Sequence, residues 1–313
     1  MNNFKFNKDL LFLPFDLYGR YRIIAELIQT IRTKDKIRIL DVGGNIEAIR
    51  YGVLKKFLPS DHIIVVDKTE NNYKDYIQAN ALNLPFGQGE FDLVVSADVL
   101  EHIPGDKREK FLEEQLRVCK EGVILASPFF SKETVKAERI AGAFYKSLSN
   151  KDHRWLSEHK KFTLPYISWF ESFIKKHKLH FEKVAHNNIF YWTLMTFLHF
   201  YVEHVPKQNE KLLEVDQFYN SYVFPCDVKK PAYRYIYLIT KRKFTKKYQK
   251  YDLNSREDFL PTLQQMILEL IGSSTQDLLH DSAELTRIVN LRRWRFASSV
   301  HNVKKQMPIL KNI

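Results

Sequence analysis

Short apolar runs that alternate with amphipathic helical segments are the feature that most constrains the fold of this chain. Between residues 37 and 129 the runs read IRILDVG, HIIVVD, YIQ, EFDLVVSAD and EGVILASPF. Segments with helical spacing, EAIRYGVLKKFL and REKFLEEQLRV, lie between several of them. Such alternation is typical of a parallel sheet whose strands are joined by right-handed crossovers. The sequence therefore predicts an α/β fold.

Two more strands are predicted beyond residue 131, HFEKVAHN and AYRYIYLITKR. Residues 131–180 have a mostly helical and polar pattern, which predicts a helical insertion. Further helical segments are predicted at 8–32, 189–205 and 209–221, and in a tail from about Ser255 to Ile313. We therefore expect one domain over residues 1–242, with a cap insertion at about 131–180. A basic linker and a helical C-terminal extension are expected over residues 243–313.

The composition indicates a soluble globular chain in a reducing compartment. Hydrophobic residues make up 44% of the 313 residues and charged residues 27%. Only two cysteines occur, Cys119 and Cys226, so a disulfide framework is not expected. The most apolar segment, residues 189–205, contains His199 and Glu203 and predicts a buried helix rather than a membrane span. We expect a cytoplasmic protein, and the opening residues are not typical of a signal peptide.

A glycine turn follows the first predicted strand, in the sequence DVGGN. Glycines after a strand let the backbone approach a ligand closely, and the free N–H groups of the next helix can face that ligand. Asp67 ends the second predicted strand, where an acid can accept hydrogen bonds from a ribose diol. Considered alone, Asp41 could instead be a helix N-cap, and Asp67 could be an acid at a strand end that faces solvent. Together they predict a nucleotide-type cofactor site.

The string DVGGN … VVD … QANALNLPFGQGEFDLVVSADVLEHIP … CKEGVILASPF resembles the class I S-adenosylmethionine-dependent methyltransferases of the small-molecule type. The resemblance is close over residues 37–130 and looser to about residue 240. It implies a Rossmann-like, mostly parallel sheet of seven strands, the last one antiparallel, with helices on both faces. It also implies S-adenosylmethionine as the cofactor.

The resemblance carries cofactor-binding roles to individual positions. It implies that the amino-acid end of the cofactor is contacted by Asp41, Gly43, Gly44 and Asn45, and the ribose by Asp67. It also implies that the adenine is contacted by Asn80 and Ala81, and the methionine part by Ser96, Ala97 and Asp98. Asn45 and Glu47 depart from the family pattern, which has glycines there. Asparagine tolerates a left-handed turn, whereas the Glu47 carboxylate could bond the cofactor ammonium or repel its carboxylate.

Methyl transfer requires a positioned acceptor and, for a hydroxyl acceptor, a base that removes its proton. The candidate bases are His102, Glu138, His153, Glu158 and His159. The segment HRWLSEHKKFTLP resembles one found in methyltransferases of cell-surface polysaccharide gene clusters, which favours His159 and His153 with Glu158. The two histidines could equally face solvent, and His102 favours a structural role in its loop. No metal is expected, because the spacing matches no standard zinc motif.

The C-terminal segment ELTRIVNLRRWRFASSVHNVKKQM predicts a basic helix with Trp294, Phe296 and Val300 near one face. Such a helix can lie on an anionic membrane surface, dock onto a partner such as a glycosyltransferase, or pack on its own domain. The net charge of +12 attracts anions in general. Nucleic acid is not expected as a partner, since no RNA-binding module is recognisable and the basic run Lys241–Lys250 is typical of a solvated linker.

These observations predict a methyltransferase that acts on a hydroxyl of a small-molecule or glycan acceptor, a sugar or a glycan intermediate. Two alternatives stay open on the sequence. The basic charge would suit an enzyme that methylates RNA or protein. The altered glycine turn would suit a non-catalytic interaction protein built on the same fold. The expected location is the cytoplasm, with peripheral contact at the inner membrane face as a further possibility.

Overall fold

A computed structural model describes residues 7–44, 52–204, 209–244, 248, 251 and 258–272 of the chain. Asn45 and Glu47 of the glycine turn lie outside these described residues. So do Trp294, Phe296 and Val300 of the expected C-terminal helix, and the predictions for them stay predictions.

One sheet of seven strands forms the centre of the molecule, as the sequence predicts. The strands are β1 Arg38–Val42, β2 His62–Asp67, β3 Tyr76–Gln78, β4 Phe91–Ala97, β5 Cys119–Pro128, β6 His180–Asn188 and β7 Ala232–Thr240. Their order across the sheet is β3-β2-β1-β4-β5-β7-β6. The first five strands pair in parallel, and β7 is antiparallel to both β5 and β6. The predicted α/β fold class is thus confirmed, including the antiparallel last strand.

Ten α-helices are described around this sheet. They are α1 Phe15–Ile31, α2 Val53–Phe57, α3 Arg108–Val118, α4 Lys132–Ser149, α5 Arg154–Phe162, α6 Ile167–Lys176, α7 Ile189–His204, α8 Asn209–Phe218, α9 Phe224–Asp227 and α10 Leu260–Gly272. They cover both faces of the sheet because neighbouring strand residues point to opposite sides. Ile39 of β1 belongs to a core with α1 and α7, whereas Leu40 belongs to a core with α3 and α6.

Residues 131–180, the segment predicted as a cap, contain α4, α5 and α6. Helix α4 packs against α7, and α6 packs on the sheet through Phe170, Phe173 and Ile174. Helix α5 packs against the 3₁₀ turn Leu100–His102 that follows β4. The cap therefore reaches the carboxyl edge of the parallel strands, where ligands bind in open α/β sheets.

The helix predicted over residues 8–32 is interrupted. A 3₁₀ turn spans Lys8–Phe12, Leu13 is extended, and α1 begins only at Phe15. Pro14 explains the break, since proline disfavours the helical conformation of the residue before it.

The described part of the C-terminal region packs on the main domain. The hydroxyls of Tyr248 and Tyr251 each donate a hydrogen bond of 2.8 Å to the carboxylate of Glu26 in α1. Helix α10 packs against α8, with Leu263 and Leu270 buried. Among the described helices, none combines the length and the apolar character needed to cross a bilayer.

Candidate cofactor and catalytic site

The glycine turn after β1 leaves no room for side chains. Gly43 has a positive φ of 78°, and its N–H donates a 2.7 Å hydrogen bond to the carbonyl of Val66 in β2. A Cβ atom on Gly43 would lie 2.3 Å from Cγ2 of Val99, and one on Gly44 would lie 2.4 Å from Oδ2 of Asp41. A side chain at Gly43 would be strained by the positive φ and by Val99, and one at Gly44 would displace the Asp41 carboxylate, so the glycines keep the backbone close to the space above the sheet edge.

Asp41 is completely buried at this edge, and neither of its carboxylate oxygens has a hydrogen-bond partner among the described residues. Burial raises the pKa of Asp41 to about 7, with the Arg20 charge opposing this and the Asp67 charge adding to it. An unpaired buried carboxylate is costly unless a ligand supplies donors or positive charge. The ammonium and sulfonium groups of S-adenosylmethionine carry such charge, so Asp41 fits this cofactor.

Asp67 ends β2 beside this turn. Its Oδ1 accepts hydrogen bonds from the N–H and the hydroxyl of Thr69, at 3.1 and 3.0 Å, which fixes the carboxylate. After β3, Oδ1 of the exposed Asn80 accepts a 2.9 Å bond from the N–H of Leu82 and retains a second lone pair for a ligand donor. The partly buried Ala81 follows it. The residues predicted for ribose and adenine thus follow adjacent strands at one edge.

The three residues at the end of β4 differ in their environment. Ser96 is fully buried and its hydroxyl has no partner in the described part of the chain, while Ala97 is buried in the core. Asp98 has a positive φ of 55°. Its carboxylate accepts hydrogen bonds from Arg20 and from Nε and Nη2 of Arg234, the latter two at 2.6 and 2.5 Å. Sequence reasoning missed both arginines.

Arg20 and Arg234 join α1 to the sheet through a second acid, Asp16. Nη1 of Arg234 donates a 2.8 Å bond to Oδ1 of Asp16, and Arg20 lies 3.7 Å from the other oxygen. Burial would raise the pKa of Asp16, but the two arginines hold it well below its usual range. The sequence contains only a weak signal for a role of Arg234 in the site, because it shows a single charged residue inside an apolar strand.

His159 of α5 is buried and oriented by an acid from another helix. Its Nδ1 lies 2.7 Å from Oε1 of Glu138 in α4, and the same oxygen accepts a 2.9 Å bond from the hydroxyl of Tyr233. Its Nε2 is buried without a described partner. Burial alone would lower the pKa of His159, but the Glu138 hydrogen bond and the charge of Glu101 raise it above its ordinary value.

Glu101 and His102 lie next to this histidine in the turn after β4. Burial and the charge of Asp98 raise the pKa of Glu101 to about 8, and its Oε2 accepts a 2.9 Å bond from Ser127. The ring of His102 lies 4.8 Å from that of His159. Burial and the neighbouring His159 lower the pKa of His102 to about 4, so its imidazole is neutral at pH 7.

The other predicted catalytic residues make different contacts. Glu158 lies 2.9 Å from Nδ1 of His102, and does not orient His159. His153 precedes α5 and packs against the rings of Tyr145 and Phe200, whose centroids each lie 4.8 Å from its own. The structure therefore gives His159 a carboxylate partner in Glu138 and gives His153 aromatic neighbours instead.

A cation could be held by three of these side chains. Glu101, His102 and His159 each offer one ligand atom, and these atoms lie within 4.8 Å of one another. The expectation that no metal is needed stays a prediction.

Comparison with known proteins gives one family match. Residues 59–127 match the family described as a methyltransferase domain, a stretch that begins after α2 and ends in β5. Among curated proteins, no match to the chain was found.

Three solved structures illustrate what the chain is similar to. The YcgJ protein of Bacillus subtilis is 14% identical, with 72% of this chain and 99% of that chain covered and a TM-score of 0.42. The plantazolicin methyltransferase BpumL in complex with SAH is 13% identical, with 73% and 85% covered and a TM-score of 0.43. Phosphoethanolamine N-methyltransferase 2 of Haemonchus contortus is 15% identical, with 70% and 52% covered and a TM-score of 0.42.

The family match covers β2, β3, β4 and most of β5, and the sheet has the seven strands and the antiparallel last strand that the sequence resemblance implied. Residues 59–127 are thus similar to a methyltransferase domain, and this match supports methyl transfer with S-adenosylmethionine as the donor.

Proposed function

We propose that the chain transfers the methyl group of S-adenosylmethionine to a hydroxyl of a small-molecule acceptor, a sugar or glycan intermediate. The observation that carries this proposal is the buried pair of His159 and Glu138, with Nε2 of the histidine free to accept a proton. A hydroxyl must lose its proton as it attacks the methyl group, whereas an unprotonated amine can attack without such help.

The cofactor lies along the carboxyl edge in this proposal. Asp41 and the turn at Gly43 and Gly44 hold its amino-acid end, and Asp67 accepts bonds from its ribose hydroxyls. Asn80 and Ala81 contact the adenine. The buried Ser96 and Ala97 with Asp98 flank the methionine part. Asn45 lies outside the described residues, and its role at the amino-acid end stays a prediction from the sequence.

In the proposed transfer, the side chains of His159, Glu138 and Tyr233 remove the acceptor proton and stabilise the charge that results. The acceptor oxygen forms a bond to the methyl carbon, the bond from that carbon to sulfur breaks, and S-adenosylhomocysteine leaves. His159 takes the acceptor proton on Nε2. Glu138 stabilises the resulting imidazolium through Nδ1, and Tyr233 holds Glu138 in place. Burial of the pair excludes bulk water from the reacting groups.

An open cavity of about 360 Å³ lies at the carboxyl end of β5, and we assign the acceptor to it although neither His159 nor Glu138 lines it. Its aromatic wall consists of Phe129, Phe130 and Tyr235, and Lys230 lies at its rim. Thr134 of α4 lines the cavity, and Glu138 follows on the same helix face after about one turn, or ~6 Å. In this proposal a sugar ring packs on the aromatic wall.

The test follows the label from methyl-labelled S-adenosylmethionine after incubation with a cell lysate and the purified protein. We expect the label in a carbohydrate fraction that resists nuclease and protease, as a methyl ether stable to mild base. Transfer into RNA or protein would support the corresponding alternative enzyme and refute the glycan proposal.

Variants of the base pair complete this experiment. We expect His159→Gln to reduce the transfer rate by about 100-fold or more, the range typical for a lost general base. Lys160→Gln changes an exposed neighbour on the same helix and serves as the matched control. Equal rates for both variants would exclude His159 as the base.

A further inference from the structure

Three side chains at the carboxyl edge of the sheet form a compact group of potential metal ligands. Glu101 and His102 belong to the turn after β4, and His159 belongs to α5. One ligand atom of each residue lies within 4.8 Å of the other two. Two ligands about 2.1 Å from one Zn²⁺ lie about 3.4 Å apart in a tetrahedral site, so small shifts of the side chains would bring all three atoms to the metal.

Both histidines of this group have a carboxylate next to one ring nitrogen. Oε1 of Glu138 lies 2.7 Å from Nδ1 of His159, and the buried Nε2 of this histidine has no partner among the described residues. Oε2 of Glu158 lies 2.9 Å from Nδ1 of His102. In protein metal sites, a histidine that binds the metal through one nitrogen usually donates the N–H of the other to a carboxylate. The surroundings of both histidines are therefore typical of metal ligands.

The third ligand determines which metals suit the group. Glu101 is 1% exposed, and its carboxylate accepts a 2.9 Å bond from the Ser127 hydroxyl. Two imidazoles with one carboxylate favour Zn²⁺ and neighbouring transition metals over Mg²⁺ and Ca²⁺, which prefer oxygen ligands alone. Zinc sites with two histidines and one glutamate keep a fourth position open. The side chain of His102 is 19% exposed, so a cation can reach the group from solvent.

We infer that Glu101, His102 and His159 form a Zn²⁺ site, and that Zn²⁺ bound there blocks His159. The ligands come from two distant segments, which explains why the sequence matches no standard zinc motif. The site itself does not depend on the acceptor. The block rests on the proposed function, because a metal on Nε2 occupies the nitrogen that would take the acceptor proton. A base pair without affinity for metals is the competing explanation.

Titration of Zn²⁺ into the metal-free chain tests the site. The wild-type chain would be compared with the variants Glu101→Gln, His102→Gln and His159→Gln. His177→Gln is the matched control, because Glu109, Glu113 and His177 form a second, more exposed group with the same types of ligand. The comparison therefore separates the inferred site from metal binding at the surface.

We expect one tight Zn²⁺ equivalent on the wild-type chain and on His177→Gln. Each of the three ligand variants should bind it at least about 100-fold more weakly, because loss of a residue that only orients a ligand already costs about 10- to 100-fold. Glu138→Gln removes such a residue and should weaken binding by about 10- to 100-fold. The absence of a tight site, or a site lost in His177→Gln and retained in the ligand variants, would overturn the inference.

X-ray absorption of the Zn²⁺-loaded wild-type chain covers the case in which a variant does not fold. The inferred site holds two imidazoles, whereas the group around His177 holds one, and the spectrum counts the imidazoles bound to the metal. Two imidazoles are the expected result. One imidazole or none would overturn the inference.

The methyl-transfer rate in the presence of Zn²⁺ separates this inference from the proposed function. We expect the rate to fall as the site fills. If Zn²⁺ filled the site and the rate stayed unchanged, the metal site would stand and His159 would lose its role as the base. If His159→Gln abolished transfer but the wild-type chain bound no Zn²⁺, the base would stand and the metal site would fall.

Discussion

The buried carboxylate of Asp41 should make the ligand-free protein less stable as the pH rises. Its pKa is about 7 in the folded chain, against about 3.9 for an unfolded aspartate. Between these values the folded state holds the proton and the unfolded state does not. The stabilisation that protonated Asp41 contributes to the folded state is therefore complete below about pH 4. It is lost progressively as the pH rises to about 7. From pH 5 to pH 8 the loss amounts to ~2.5 kcal/mol in the free energy of unfolding.

Urea unfolding followed by tryptophan fluorescence at pH 5, 6, 7 and 8 would measure this loss. Asp41→Asn is the reference, because asparagine has a similar shape and does not titrate, while groups such as Glu101 titrate in both proteins. We expect the stability of the wild-type chain, relative to Asp41→Asn, to fall by ~2.5 kcal/mol over this range. Saturating S-adenosylhomocysteine should flatten the difference, since its ammonium favours the ionised carboxylate. If, without ligand, the free energies of unfolding of the wild-type chain and Asp41→Asn changed in parallel with pH, the reasoning would be refuted.

Three further predictions concern the base pair and the glycine turn. Glu138→Gln should lower the pKa of His159, because the Glu138 hydrogen bond raises it. The transfer rate should fall, and the acid limb of the pH–rate profile should move to lower pH. Zn²⁺ should inhibit by binding His159 with Glu101 and His102, whereas EDTA should leave the rate unchanged; loss of activity in EDTA would instead indicate a required metal. Gly43→Ala should weaken S-adenosylhomocysteine binding and lower the melting temperature more than Gly89→Ala does. Both glycines have positive φ, but only the Gly43 position would clash, so equal effects would contradict a close backbone approach there.

The sheet could be predicted from the sequence because each strand is a local signal. Apolar runs such as HIIVVD are buried on both faces of a parallel sheet, whereas the order of the strands across the sheet was not predicted. Pro14 is an equally local signal for a break. The sequence nevertheless predicted one helical segment over residues 8–32, because the apolar residues keep helical spacing on both sides of this proline. Residues beyond Gly272 and around Glu47 lie outside what the structure describes, so their expected roles stay predictions.

The partners in the site could not be predicted, because they depend on contacts between distant segments. Glu158 is next to His159 in sequence, but successive residues of a helix point about 100° apart. The carboxylate that orients His159 is therefore Glu138, which comes from α4 and is 21 positions earlier. Arg20 and Arg234 are 214 positions apart and meet at Asp98 and Asp16.

One titration tests the central claim, that the carboxyl edge formed by β1, β2 and β4 binds S-adenosylmethionine. S-adenosylhomocysteine would be titrated into the wild-type chain, Asp67→Ala and the control Asp75→Ala, which removes a nearby acid ahead of β3. We expect one equivalent to bind the wild-type chain, with affinity about 10- to 100-fold weaker for Asp67→Ala and unchanged for Asp75→Ala. No binding at millimolar ligand, or equal binding to Asp67→Ala, would contradict the claim.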